Sequence, residues 1–151
     1  MTTIAELLPQ TILAALSEAQ QRIEIKRLSL DSRDILPGDC FFAYPGATTD
    51  RRDFIDAVLA KGAACVIADD ENIVPLDDER IIYLPQVQKL LSPVAAAFYG
   101  YPSTQLKIFG VTGTNGKTSC VWLLTQALKA LGVKVSGVGP LFGDQLTTPD
   151  P

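Results

Sequence analysis

Gly110-Val-Thr-Gly113-Thr-Asn115-Gly116-Lys117-Thr118-Ser119 decides how the chain is read. An apolar run, Leu106 to Val111, leads into it. A helical pattern from Val121 through Leu128 and Leu131 leads out. Strand, glycine loop and helix in that order form the setting of a phosphate-binding loop. Glycines let the backbone wrap closely enough to point N–H groups at phosphate oxygens. The helix N-terminus adds the positive end of its dipole. Lys117 adds a full charge at the outer phosphates, and the Thr118 hydroxyl is placed to ligate Mg²⁺. The spacing departs from G-x-x-x-x-G-K-[ST] in one respect: position 111, where the first glycine belongs, is Val. A strand-to-helix turn that merely contains Gly-Lys-Thr is the bland alternative. The agreement of loop and flanks argues against it.

The composition excludes several classes. A chain of 151 residues with 47% hydrophobic and 20% charged residues is ordinary for a globular protein. A net charge of −4 argues against non-specific nucleic-acid binding. No apolar run has the length of a membrane span, and the first residues lack the basic start and apolar core of a signal peptide. A cytoplasmic location is expected. The absence of histidine rules out His-based triads and His metal sites within this chain. Cys40, Cys65 and Cys120 are odd in number and widely spaced, which suggests neither disulfides nor zinc. All three are expected to be buried, reduced thiols.

Short helices are expected over residues 4–8, with Thr2 or Thr3 as N-cap, and over 11–20. The alternation of Ile23, Ile25, Leu28 and Leu30 predicts a strand with one irregularity. Asp31-Ser32-Arg33 then reads, on spacing alone, as a turn. A Pro37-Gly38 turn precedes a strand over 40–44, and residues 45–50 form a loop. A helix carries Phe54, Ile55, Val58 and Leu59 on one face, capped by Asp50 or Asp53 and closed by Lys61-Gly62. Buried strands follow over 63–68 and 80–84, separated by an acidic, solvated turn at 69–72. A helix over 86–99 contains Pro93, which should kink or split it. Gly100-Tyr101-Pro102 marks a domain boundary, giving units 1–102 and 103–151. Residues 133–138 would be the second strand of a βαβ unit around the glycine loop.

The glycine loop, with its altered spacing, resembles that of the Mur ligase family, which builds the peptide stem of bacterial cell-wall precursors. Leu30-Asp31-Ser32-Arg33, then Pro37-Gly38-Asp39-Cys40-Phe41-Phe42-Ala43 and Gly46, is similar to the substrate-recognition module that opens these enzymes. Leu146-Thr147-Thr148-Pro149-Asp150 resembles a segment of the members that add the third stem residue. The resemblance implies an α/β architecture. A small mixed-sheet N-terminal substrate domain is followed by the first βαβ unit of a P-loop ATP-binding central domain.

It also implies site residues. Leu30 and Ser32 match positions at the uracil-ribose end of UDP-MurNAc-L-Ala-D-Glu, and Ala47, Thr48 and Thr49 match positions near the uridine diphosphate. Gly113, Thr114, Asn115, Gly116, Lys117, Thr118 and Ser119 match the ATP loop, with Lys117 in the catalytic role and Thr118 as Mg²⁺ ligand. Thr147 and Thr148 match positions that approach the sugar-dipeptide. The implied reaction transfers the γ-phosphate of ATP to the D-Glu carboxylate. The amine of a diamino acid then attacks the acyl-phosphate, with meso-diaminopimelate favoured over L-lysine. The family's acidic, histidine and carbamylated-lysine Mg²⁺ residues lie past residue 151. The chain is therefore expected to be an N-terminal portion that does not turn over alone, and to be monomeric. The alternatives are another ligase of the family, such as the one adding D-Ala-D-Ala, a non-catalytic nucleotide-sugar binding module, or a generic P-loop NTPase or kinase.

Overall fold

The computed structural model describes residues 2–138. The chain divides into two compact units, Met1–Leu106 and Lys107–Pro151.

The first unit is built on a four-stranded sheet. Its strands β3 (Arg27–Ser29), β4 (Asp39–Ala43), β5 (Cys65–Asp69) and β6 (Ile81–Leu84) lie side by side in chain order, all parallel. Two further strands, β1 (Thr2–Thr3) and β2 (Glu24–Ile25), pair antiparallel in a separate small sheet. The parallel and antiparallel pairings of this unit are thus kept apart in two sheets. The irregularity expected between Ile25 and Leu28 is the point where the chain changes sheet. Lys26 sits between β2 and β3, and its amide bonds the Gly38 carbonyl at 2.9 Å.

β4 and β5 are buried along their whole length, as near-continuous apolar runs in a covered parallel sheet must be. The period of two sorts their side chains onto two faces. Cys40, Phe42, Cys65, Ile67, Ile82 and Leu84 face α1 (Ile4–Leu7), α2 (Gln10–Leu13) and α5 (Val87–Phe98). Phe41, Ala43, Val66, Ala68 and Ile81 face α4 (Ile55–Ala60) through Ile55, Val58 and Leu59. The result is a helix–sheet–helix sandwich.

Local chemistry sets the element ends. The Thr3 amide donates to Glu6 at 2.9 Å at the start of α1. The single helix expected over 11–20 is instead two, because Ser17 starts a new one, α3 (Glu18–Gln21). Its hydroxyl accepts from the Gln20 amide at 3.1 Å, and Gln20 Oε1 accepts from the Ser17 amide at 3.1 Å. That reciprocal pair is a capping box. Asp50 accepts from the Arg52 amide at 3.0 Å and opens the 3-10 turn Arg51–Phe54 that leads into α4. Pro93 does not split α5, which runs unbroken through it.

The acidic turn at 69–72 needs correcting in one place. Asp69 is buried, not solvated. Its carboxylate accepts from the Glu71 amide at 3.2 Å and from the Val87 amide at 2.9 Å. It thereby takes the place of a cap at α5, where Gln86 itself adopts a left-handed conformation.

In the second unit the expected helix forms as α6 (Lys117–Ala130). The segments on either side, 106–116 and 131–138, carry no strand. A strand is stable only with a hydrogen-bonded neighbour, and neither segment has one among the described residues. Their apolar side chains lie open, Ile108 at 72% and Phe109 at 67% exposure. Cys120 follows the same logic. It sits on the exposed part of α6, which corrects the expectation that all three thiols are buried. Cys40 and Cys65 are buried and stand opposite each other across β4 and β5. The neighbouring Cys65 and full burial push the Cys40 thiol up, away from the reactive thiolate. No helix among the described residues is long and apolar enough to cross a membrane.

Candidate functional site: a crevice at the strand ends and a glycine loop

In parallel α/β sheets ligands bind beyond the carboxyl ends of the strands. β3 ends at Ser29 and runs straight into Leu30-Asp31-Ser32-Arg33. β4 ends at Ala43 and runs into Gly46-Ala47-Thr48-Thr49. These two loops are separated by twelve residues in sequence, but neighbouring strands bring them together. Between them lies a cavity of about 560 Å³. Leu30, Asp31, Ser32 and Arg33 form one wall and residues 46–49 another, with Phe41, Arg51 and Phe54 completing the lining. The crevice therefore gathers Leu30, Ser32, Ala47, Thr48 and Thr49, the five positions singled out in this unit. Leu30 is 46% exposed, an apolar side chain available to a ligand.

Each wall is held by identifiable bonds. Asp39 is 1% exposed and stands opposite Arg27 in the β3–β4 register. Its carboxylate accepts from Arg27 Nε at 3.1 Å, from Arg27 Nη2 at 2.6 Å and from the Leu36 amide at 2.9 Å. Arg27 Nη2 also donates to the Asp34 carbonyl. This knot ties the returning half of the loop to the sheet. Burial works against the Asp39 charge, but the Arg27 and Leu36 bonds outweigh it and hold its pKa below the usual carboxylate value. Lys61, at the end of α4, donates to the carbonyls of Ser32 at 2.8 Å and Arg33 at 3.0 Å. Those carbonyls are thus occupied, which fixes the direction of the Ser32 backbone. Asp31 accepts from the Arg33 amide and guanidinium, and that pairing drives its pKa far down.

The other wall closes on itself. The Gly46 amide donates to the Thr49 carbonyl at 3.0 Å. A Cβ at Gly46 would stand 2.7 Å from that same carbonyl oxygen, so only glycine fits this turn.

The second candidate site is the loop before α6. Gly113 and Gly116 have φ of 145° and 75°, conformations that L side chains rarely adopt. Gly116 precedes the first residue of α6, so the open N–H groups of the first turn face the loop. Lys117 Nζ curls back to the carbonyls of Gly113 and Thr114. Its ammonium therefore stands against the loop, on a side chain that remains exposed. Thr114, Asn115 and Ser119 are exposed and Thr118 is half-buried. Among the described residues nothing lies within 4 Å of a Cβ built on Gly110 or Gly116, which leaves that side of the loop open. Thr147 and Thr148 lie outside the described residues.

Three residues of the crevice were missed by the sequence reading: Phe41, Arg51 and Phe54. The two aromatics look like ordinary core positions in a pattern. Arg51 had a readable signal. An Asp side chain bonds the amide two residues on, so Asp50 selects Arg52 and leaves Arg51 over.

The family described as "Mur ligase family, catalytic domain" matches residues 24–99, the stretch that contains the crevice. The UDP-N-acetylmuramoyl-L-alanyl-D-glutamate–2,6-diaminopimelate ligase of Pseudomonas putida KT2440 is 46% identical over 137 residues, 84% of this chain and 28% of its own length. Among solved structures, the UDP-N-acetylmuramoylalanyl-D-glutamyl-2,6-diaminopimelate–D-alanyl-D-alanyl ligase of Acinetobacter baumannii superposes with a TM-score of 0.63. It is 28% identical, over 85% of this chain and 28% of that one. The MurF ligase of Thermotoga maritima, solved in complex with ADP, gives a TM-score of 0.54 at 31% identity, over 70% of this chain and 23% of that one. The chain thus spans less than a third of the length of these relatives. With its strand-end crevice and glycine loop placed as above, it belongs to the Mur ligase family.

Proposed function

We propose that this chain is part of an ATP-dependent amide-bond ligase that joins a diamino acid to UDP-MurNAc-L-Ala-D-Glu, with meso-diaminopimelate preferred over L-lysine. The observation that carries the reading is the pairing, in one chain, of two different sites. One is an apolar-floored crevice with hydroxyls at its rim, and the other a glycine loop holding a lysine at a helix start. The 46% identity to the P. putida diaminopimelate ligase supports the choice of acceptor.

In this reading residues 1–102 hold the uridine diphosphate end of the substrate and residues 103–151 begin the ATP-binding domain. Leu30 offers apolar surface to the base, and Ser32, Thr48 and Thr49 offer hydroxyls to ribose and phosphate. The backbone of Gly113 to Ser119 cradles the ATP phosphates. Lys117 exchanges its carbonyl partners for the γ-phosphate and stabilises the charge that develops as the phosphoryl group moves to the D-Glu carboxylate. Thr118, at the first turn of α6, fits as one oxygen ligand of Mg²⁺. No cluster of acidic ligands stands beside it among the described residues, and Mg²⁺ commonly takes its other ligands from phosphate and water. The ion would supply charge neutralisation at the phosphates. A cytoplasmic enzyme follows, since ATP and a UDP-sugar are its substrates. Thr147 and Thr148 are assigned to the sugar-dipeptide.

The test is phosphate release by the full-length protein with ATP, Mg²⁺ and UDP-MurNAc-L-Ala-D-Glu, given meso-diaminopimelate or L-lysine separately. Release with meso-diaminopimelate alone is expected. Release only with D-Ala-D-Ala and the tripeptide substrate would move the assignment to the other ligase. Substrate binding without release under any acceptor would leave a non-catalytic binding module.

A further inference from the structure

The arginines of this protein are almost all committed. Arg22 pairs with Glu18, Arg27 with Asp39, Arg33 with Asp31, Arg52 with Asp50 and Arg80 with Asp78. Three of these pairs share one local design, Asp at i and Arg at i+2. The aspartate accepts the amide of the arginine and then its guanidinium. In Asp50-Arg51-Arg52 that design claims Arg52 and sends Arg51 the other way. Arg51 is the described arginine with no carboxylate partner.

Its position is specific. The guanidinium carbon lies 4.6 Å from the centroid of the buried Tyr44 ring, a cation–π contact that holds the side chain in place. Its Nη1 reaches the base of the Gly46–Thr49 loop, 3.1 Å from where a Gly46 Cβ would be. The residue is half-buried and lines the crevice. The other charges on the crevice wall, Asp31 and Arg33, cancel each other in a 2.5 Å ion pair. The crevice therefore carries one uncompensated positive charge. It is pre-positioned, with planar N–H donors suited to phosphate oxygens.

We propose that Arg51 is the residue that reads the diphosphate of the uridine nucleotide, giving the crevice its preference for a phosphorylated ligand over the bare nucleoside. This rests on the assignment of the crevice to the uridine diphosphate end of the substrate. Tyr44 acts as the platform that keeps the guanidinium aimed, and the Asp50–Arg52 pair keeps a carboxylate from capturing it.

The experiment is calorimetric titration of the full-length protein with UDP and with uridine, for the wild type, Arg51→Gln and Arg51→Lys. Arg51→Gln is expected to weaken UDP binding about 10- to 100-fold and leave uridine unchanged. Arg51→Lys keeps the charge but not the planar donors, so it should lose less UDP affinity than Arg51→Gln while leaving uridine unchanged, which separates a charge effect from misfolding. The salt dependence of UDP binding should flatten in Arg51→Gln. Equal loss of UDP and uridine, or no loss of either, overturns the role of Arg51 while the crevice assignment stands. A wild type that binds neither ligand overturns the crevice assignment and this inference with it.

Discussion

Lys117→Ala in the full-length enzyme is expected to lower ATP-dependent ligation by on the order of 10³-fold or more, a scale set by single charged groups at transferring phosphoryl oxygens. Binding of UDP or of the UDP-sugar substrate should be unchanged. The asymmetry follows from where the residue stands. Lys117 opens α6, and its ammonium bonds the loop carbonyls of Gly113 and Thr114, in the unit that starts at Lys107. The crevice is lined wholly by residues of the first unit. Steady-state ligation kinetics and UDP titration on the same variant check this. Equal loss of both would mean the glycine loop is not a separate nucleotide site. Unchanged ligation would remove Lys117 from the chemistry.

Asp39→Ala is expected to destabilise the sheet unit by about 2–3 kcal/mol. The variant leaves the Leu36 amide and two guanidinium nitrogens without their acceptor. Arg27 is 42% exposed, so water relieves part of its lost pairing, and the cost stays below that of a fully buried pair. Thermal melting should show a fall of roughly 8–15 °C. Looser anchoring of residues 34–36 should also weaken UDP binding. The same carboxylate predicts acid sensitivity. Its folded pKa is depressed, so its contribution is fully present above the unfolded value near 3.9 and is lost as pH falls through the folded value. Asp31, Asp50 and Asp78 are depressed by their arginine partners and act in the same direction. Stability should therefore be flat from about pH 7 to 5 and fall steeply below about pH 4. Asp39→Asn should make that fall shallower. A melt of Asp39→Ala within a degree or two of wild type would show that the knot is not holding the loop.

The sheet was legible because its strands are apolar throughout, as in Cys40–Tyr44 and Ala63–Ala68, which a doubly covered parallel sheet requires. The break at Lys26 was visible as a lapse in alternation, but not as a change of sheet, since pairing partners are non-local. Ser17 and Gln20 spelled a capping box that splits the second helix, a local signal passed over in favour of the longer apolar pattern. Asp69 could not be read. Its partner amide at Val87 is eighteen residues away, and only the β5–β6 arrangement brings it near. Within the site, Asp31-Ser32-Arg33 looked like a turn by its own chemistry, and it is one. What makes it a binding wall is the neighbouring loop after β4, and spacing cannot report that. The glycine loop was legible as a motif, through Gly113, Gly116 and Lys117. Its flanking strands were not realised, because strand propensity alone supplies no partner.

The most direct test of two separate nucleotide sites is an amide-resolved NMR titration of the chain with UDP and, separately, with ADP and Mg²⁺. UDP is expected to shift Leu30 to Arg33 and Gly46 to Arg51, and to leave Gly113 to Ser119 unmoved. ADP is expected to do the reverse. Both nucleotides moving one common set of amides, or UDP moving only the glycine loop, would contradict the account.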